Sequence, residues 1–264
     1  MRRMIFGLAA LAALAACSTP NTGATPKVSA ADAAAAAIAD SRRPANDTAR
    51  DANRKPAESL AFAGVKPGDK VGELLPGGGY FTRLFAVTVG DKGHLYAFVN
   101  PPPPPSSAPA APDAPKPVPI GQRPIDAVAA QYPNVTVETQ DFTKLSAPAK
   151  LDLVWTSQNY HDMHLKRLNV DVAAVNKAIF NLLKPGGYYI VLDHAAADGS
   201  GLSAPDTLHR IDPAVVKAEV EAAGFKYVGE STILRNPADD HSKIVFDPSV
   251  RGKTDQFIYK FQKP

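Results

Sequence analysis

Gly72-Glu73-Leu74-Leu75-Pro76-Gly77-Gly78-Gly79-Tyr80-Phe81-Thr82-Arg83-Leu84 is the stretch on which the fold turns. The run Lys70–Leu75 is short and apolar enough to predict a strand. The three glycines predict a tight turn, and Tyr80–Val89 predicts a helix. Strand, glycine turn and helix in that order open a βαβ unit. Glycines at such a turn let backbone N–H groups approach a ligand where a Cβ would clash. A glycine triplet alone is equally compatible with a turn that only connects two elements.

Working outward, the same alternation continues. Strands are predicted at His94–Val99, Val135–Thr139, Leu151–Thr156, Tyr188–Asp193, Lys226–Leu234 and Asp255–Phe261. Helices are predicted at Ile125–Gln131, Val170–Leu183 and Pro213–Ala223; LKPGG and Gly224 close the last two. This order predicts an α/β fold with a doubly wound, mostly parallel seven-stranded sheet. With no helix between the last two strands, the sheet should close in an antiparallel edge. Asn100–Gly121 carries NPPPPP and further prolines, and reads as a polyproline-like surface loop inside the domain. Upstream, Asp47–Ala63 is helical in pattern with a break at Pro56, and Ala30–Asp40 is an alanine-rich helix. Residues 17–45 read as a tether with that Ala-rich segment, and 46–264 as the domain.

The chain opens MRRMIFGLAALAALAAC. Two arginines precede an apolar run, Met4–Ala16, that falls short of the roughly 20 residues a membrane-spanning helix needs. Residues 1–16 therefore read as a secretory signal. Cys17, the single cysteine, follows Leu14-Ala15-Ala16 in a run similar to a bacterial lipobox. That resemblance implies lipidation of Cys17 and, with Ser18 next, a lipid-anchored protein of the cell envelope at the outer membrane. An intrachain disulfide is excluded. The formal charge of +3 falls to +1 once Arg2 and Arg3 leave with the signal, which offers no electrostatic case for a nucleic-acid partner. No protein partner is legible.

KPGDKVGELLPGGGYFTRLFA, GHLYAFV, Asp141-Phe142, LDLVWTS and LKPGGYYIVLDH, in that order, resemble the motifs of class I S-adenosylmethionine-dependent methyltransferases, over roughly Ala57 to Lys263. Asp51–Asp69, NYHD, LDHAA, LHRID and RGKTDQF resemble a family of exported "predicted methyltransferases". The resemblance implies S-adenosylmethionine as cofactor. By it, Glu73 anchors the loop after the first strand, Gly77, Gly78 and Gly79 pass beside the methionine part, Asp141 faces the adenine amino group and Phe142 lies along the ring. Leu75 stands where the glycine pattern has its first glycine. Val99 and Asn100 stand where the family carries a ribose-binding acid, leaving Asn100 to make a neutral bond.

Five of the six histidines lie from His161 onward. In a doubly wound sheet, the segments after the fourth and fifth strands end beside the first loop. His161 is the candidate base or acceptor-positioning residue, Asp162 its orienting partner and His194 a second pocket residue. His209 and His241 read as loop caps, and Arg210 as the partner of Asp212. Trp155 and Tyr160 flank the fourth strand's exit, as core or as walls of an aromatic acceptor pocket. His161, Asp162, Asp193 and His194 are of the types that suit zinc or manganese, but the spacing of His161 and His164 is no firm ligand signature, so a metal site is the minority reading and none is expected. The expected function is methyl transfer to a small molecule; the alternative is a non-catalytic domain of the same fold that binds another small ligand.

Overall fold

The structure, a computed structural model, describes residues 28–102 and 119–264. The signal segment 1–16, Cys17, most of the tether and most of the proline tract lie outside the described residues.

Seven strands form one sheet: β1 Lys70–Leu74, β2 His94–Val99, β3 Val135–Thr139, β4 Leu151–Ser157, β5 Leu183–His194, β6 Lys226–Ser231 and β7 Gln256–Gln262. Their order is β3-β2-β1-β4-β5-β7-β6. All pairs are parallel except those of β7, which runs antiparallel to both β5 and β6. The antiparallel strand is thus the last one, as read, but it lies inside the sheet, and β6 forms the edge. β7 pairs along its length with both β5 and β6, which sets it between them. The chain leaves β1 toward β2 and β3 on one side and continues through β4 and β5 on the other. The exits of β1 and β4 therefore bound the crevice where such sheets bind ligands.

Alternating side chains feed two cores. Val71, Leu153, Trp155, Ile190 and Ile258 face one; Leu74, Val154, Tyr189, Val191 and Phe261 face the other. The first face is covered by α1 (Ala30–Ile38), α4 (Pro56–Ala63), α5 (Tyr80–Val89) and α6 (Pro124–Ala129); the second by α7 (Val172–Leu182) and α9 (Pro213–Ala222). The sequence reading left Ala30–Asp40 outside the domain, yet Ala33 and Ala37 of α1 are buried and α1 packs on α5. Alanine lets the two backbones approach closely. All of α5 except Val87 is buried, so its polar residues need internal partners, and two of these shape the site.

The predicted helix Asp47–Ala63 breaks twice rather than once. It forms α2 (Ala45–Thr48), α3 (Asp51–Arg54) and α4, the last starting at Pro56 after Lys55 in a left-handed conformation, φ 42°. The additional break turns two carboxylates inward. Asp47 pairs with Arg83 and Arg50, and Asp51 with Arg43 and the Tyr80 hydroxyl. LKPGG ends α7, as read, but the chain enters the sheet at once: Leu183 already pairs with Leu151, ahead of the regular ladder from Tyr188. A short α8 (Pro205–Leu208) precedes α9, which Asp212 caps by accepting from Ala214 N.

Candidate functional site

The site is built at the exit of β1. Leu75 holds φ 50°, a left-handed conformation that costs a branched side chain roughly 1–2 kcal/mol. Its N–H donates to Phe98 O at 2.9 Å, and its carbonyl accepts from Asn159 Nδ2 at 3.1 Å. The backbone thus takes a conformation suited to glycine although the residue is leucine. Gln158, at the exit of β4, is also left-handed at φ 61°. Strain of this kind concentrates where binding sites are assembled.

The three glycines separate into two roles. Gly77 (φ 56°) and Gly78 have nothing within 4 Å of an added Cβ, so they leave open space beside the chain. Gly79 (φ 80°) caps α5, and a Cβ there would meet Val128 Cγ2 at 2.7 Å. Its missing Cβ lies toward α6, and of the three glycines only Gly77 and Gly78 line the second cavity.

Three cavities follow one another along this edge. The first, of about 330 Å³, is lined by Leu75, Asn100, Asp141, Phe142, Asp162 and Met163, among others. A second, of about 170 Å³, lies across Leu75 and is walled by Glu73, Gly77, Gly78, Ser157, Asn159 and Arg54. The third, of about 340 Å³, shares Arg50, Arg54 and Gln158 with the second and adds His194, Phe246 and Arg251. The first and third reach the size of small-molecule sites.

Glu73 is buried and accepts from Thr82 Oγ1 of α5 at 2.6 Å. Burial pushes its carboxyl up to about 7, against the pull of Thr82, Arg54 and Arg83. Ser157 Oγ is buried in the same neighbourhood with no hydrogen-bond partner among the described residues. Arg54 is half-buried, gives one bond to Gln158 Oε1 at 2.8 Å, and has no carboxylate partner among the described residues; burial lowers it to about 10. Asp141 is exposed and caps the single turn Phe142–Lys144 by accepting from Thr143 N and Oγ1, bonds that hold its carboxyl below the usual range. Phe142 is buried along the cavity floor, and Asn100 is exposed at its rim.

Beyond β4 and β5 the histidines sort themselves by partner. His161 is buried, and its Nδ1 lies 2.8 Å from Asp193 Oδ1 while its backbone N–H donates to Asp193 Oδ2 at 2.7 Å. Burial pulls the ring down, but the Asp193 charge and hydrogen bond outweigh it and raise it above its ordinary value. The orienting partner of His161 is therefore Asp193; Asp162 sits on the opposite nitrogen, 3.4 Å from Nε2. His194 lines the third cavity, with Nδ1 2.7 Å from Thr254 Oγ1, and burial pushes its ring down to about 4. At neutral pH it is an uncharged imidazole.

Other expectations are corrected by burial. Arg210 pairs with Asp239 at 2.9 Å, both fully buried, and not with Asp212, which caps α9. Tyr160 is fully buried and bonded to Glu219 and Asn176, so it lines no pocket. Trp155 is core. His241 bonds to Asp255. His209 is more than a loop cap: it sits 3.6 Å from Asp162 Oδ1 with its ring edge against His161. Sequence reasoning gives no signal for Arg54 or Ser157; it places Asp193 with His194 at the strand end without its bond to His161, and reads His209 only as a loop cap.

No protein-family model and no curated protein matches this chain. Solved structures do. A SAM-dependent methyltransferase from Aquifex aeolicus aligns with a TM-score of 0.54 and 16% identity, over 78% of this chain and 88% of its own. The 1,6-didemethyltoxoflavin-N1-methyltransferase of Burkholderia thailandensis, with bound 1,6-didemethyltoxoflavin and S-adenosylhomocysteine, aligns with a TM-score of 0.51 and 16% identity, over 81% and 79%. The cyclase SpnF aligns with a TM-score of 0.51 and 17% identity, over 80% and 82%. The chain has the Rossmann-like fold of these methyltransferases. At such identity the likeness is one of fold, and a cyclase shares it, so chemistry has to be argued from the site.

Proposed function

We propose that the chain binds S-adenosylmethionine across the first and second cavities and transfers its methyl group to a small molecule in the third. One observation carries this reading: beside buried Glu73, the backbone at Gly77 and Gly78 borders open space, and the neighbouring Ser157 Oγ lacks a partner among the described residues. A ligand with a carboxylate and an amine suits that wall, with Arg54 for the carboxylate and Glu73 for the amine. Asp141 and Phe142 suit a purine through a hydrogen bond and ring contact. Bound there, the cofactor supplies an electrophilic methyl group; the protein's part is to hold the acceptor in line and to exclude water.

The third cavity carries Arg50, Arg54 and Arg251 and no acid in its lining, which suits an acceptor bearing a carboxylate or phosphate. His194, uncharged, accepts a hydrogen bond from the acceptor through Nε2 in the tautomer whose Nδ1–H donates to Thr254 Oγ1. Asn100 and Val99 favour the second reading, a domain that binds a small ligand without turnover, since they leave the ribose side without a carboxylate.

Calorimetric titration of the full-length chain in detergent with S-adenosylmethionine and its demethylated product tests the reading. Micromolar binding of both, lost in Gly78→Val while the melting temperature is kept, supports it. No heat and no thermal shift at millimolar ligand removes it. The lipid anchor at Cys17 is a further part of the proposal, tested by metabolic labelling with a tritiated fatty acid: label in the wild type and none in Cys17→Ser is expected, and equal label in both refutes it.

A further inference from the structure

Outside the three cavities' shared walls, side chains from two loops meet at one point. His161 Nε2 lies 3.4 Å from Asp162 Oδ1, His209 Nδ1 lies 3.6 Å from the same oxygen, and the three candidate ligand atoms are all within 4.8 Å of one another. Both separations exceed the roughly 2.7–3.2 Å of a good N–H···O bond. They match the spacing of about 3.4 Å between two donors on one tetrahedral ion with bonds of about 2.1 Å.

The surroundings hold these groups as ligands are held. Asp193, fully buried, occupies Nδ1 of His161 and directs the Nε2 lone pair toward Asp162, the carboxylate–histidine relay found behind metal-bound imidazoles. His209 is fixed in a left-handed conformation, φ 52°, with its ring between His161 at 5.5 Å and the exposed Phe246 at 5.0 Å. His161 is buried, whereas Asp162 and His209 are half-buried, so the cluster is closed behind and open in front. Asp162 also lines the first cavity.

We propose that His161, Asp162 and His209 form a three-ligand site for a divalent transition-metal ion of the zinc class. Two imidazoles and one carboxylate suit zinc and its neighbours; magnesium and calcium take oxygen ligands. Three protein ligands leave a fourth position for water or for an oxygen of a bound molecule, and the half-exposed side of the cluster provides it. The site touches the proposed cofactor path through Asp162 alone, which lines the first cavity, and shares no residue with the wall formed by Glu73, Gly77 and Gly78.

The test uses the full-length chain carrying Cys17→Ser, so that the thiol offers no ligand. The chelator-stripped protein is titrated with Zn²⁺, and the Co²⁺ form is examined by visible absorption. One ion per chain is expected, together with the absorption bands of a four-coordinate Co²⁺ site. His161→Ala and His209→Asn should each weaken binding by at least about tenfold, and Asp193→Asn by about 10–100-fold. Asparagine adopts the left-handed conformation readily, so His209→Asn keeps the loop even if His161→Ala fails to fold. Gly78→Val, which tests the cofactor, should leave Zn²⁺ affinity unchanged. No ion taken up, or an ion whose affinity is the same in His209→Asn as in the parent, overturns the proposal.

Discussion

Asn159 Nδ2 donates to the carbonyl of Leu75 at 3.1 Å and so ties the turn after β4 to the turn after β1. Leu75 pays for this position with a left-handed φ of 50°, and the bond explains how a leucine keeps a conformation suited to glycine. The two strands on either side of the sheet's switch point are locked together at the place where the cavities meet.

Substitution at Leu75 follows from that strain. Leu75→Gly relieves roughly 1–2 kcal/mol of backbone strain and loses a similar amount of half-buried apolar contact, so stability should stay within about 1 kcal/mol of wild type. Leu75→Val places a β-branched residue at positive φ and should lose about 2 kcal/mol or more. Urea denaturation of both variants measures the difference; equal losses would show that the conformation carries no cost.

The glycines make a second contrast. Gly79→Ala adds a Cβ 2.7 Å from Val128 at φ 80° and should destabilise by about 2 kcal/mol or more. Gly78→Ala meets nothing within 4 Å and has no positive φ, so its stability should change by no more than about 0.5 kcal/mol. Thermal unfolding of the pair separates the scaffold glycine from the one beside the cavity. Comparable losses would contradict the two roles.

Glu73 sets a pH dependence of known sign. Its carboxyl is raised from 4.5 to about 7 in the folded chain, chiefly by burial. The folded state therefore binds the proton more tightly than the unfolded one. This group's contribution is greatest at and below pH 4.5 and is lost as pH rises through 7, by about 3 kcal/mol in all. Glu73→Gln, which is neutral throughout, should remove that slope and be the more stable protein at pH 8. Chemical denaturation of both proteins at pH 5 and pH 8 decides it: parallel pH profiles would mean that Glu73 is ionised in the fold at both.

Arg210 and Asp239 form an ion pair with both side chains fully buried, and the guanidinium also bonds to the carbonyls of Ala195 and Lys243. Arg210→Met strands a buried carboxylate and should cost about 3–5 kcal/mol. Arg210→Met with Asp239→Leu should recover part of that loss, because neither charge is then left alone. A double variant less stable than the single one would place the stabilisation in the carbonyl bonds instead.

The order of strands and helices was legible because each depends on local periodicity. Tyr80–Val89, His94–Val99 and Val135–Thr139 were read with the bounds they have in the structure. The glycine turn, the switch point after β1 and the arrival of NYHD and Asp193-His194 at one end of the sheet follow from that order alone. What only the tertiary structure decided was which partner each polar group finds. Asp193 rather than Asp162 holds Nδ1 of His161, Asp239 rather than Asp212 takes Arg210, Gly79 faces Val128, and β7 inserts between β5 and β6. His209 meets Asp162 across two loops, and Arg54 reaches the cavities from a helix of four residues. These pairings join residues far apart in sequence, and they are set by burial, since a charged or hydrogen-bonding group taken out of water must take the partner that packing brings within reach. Periodicity along a chain carries the faces of its elements, not the side chains that will stand opposite them.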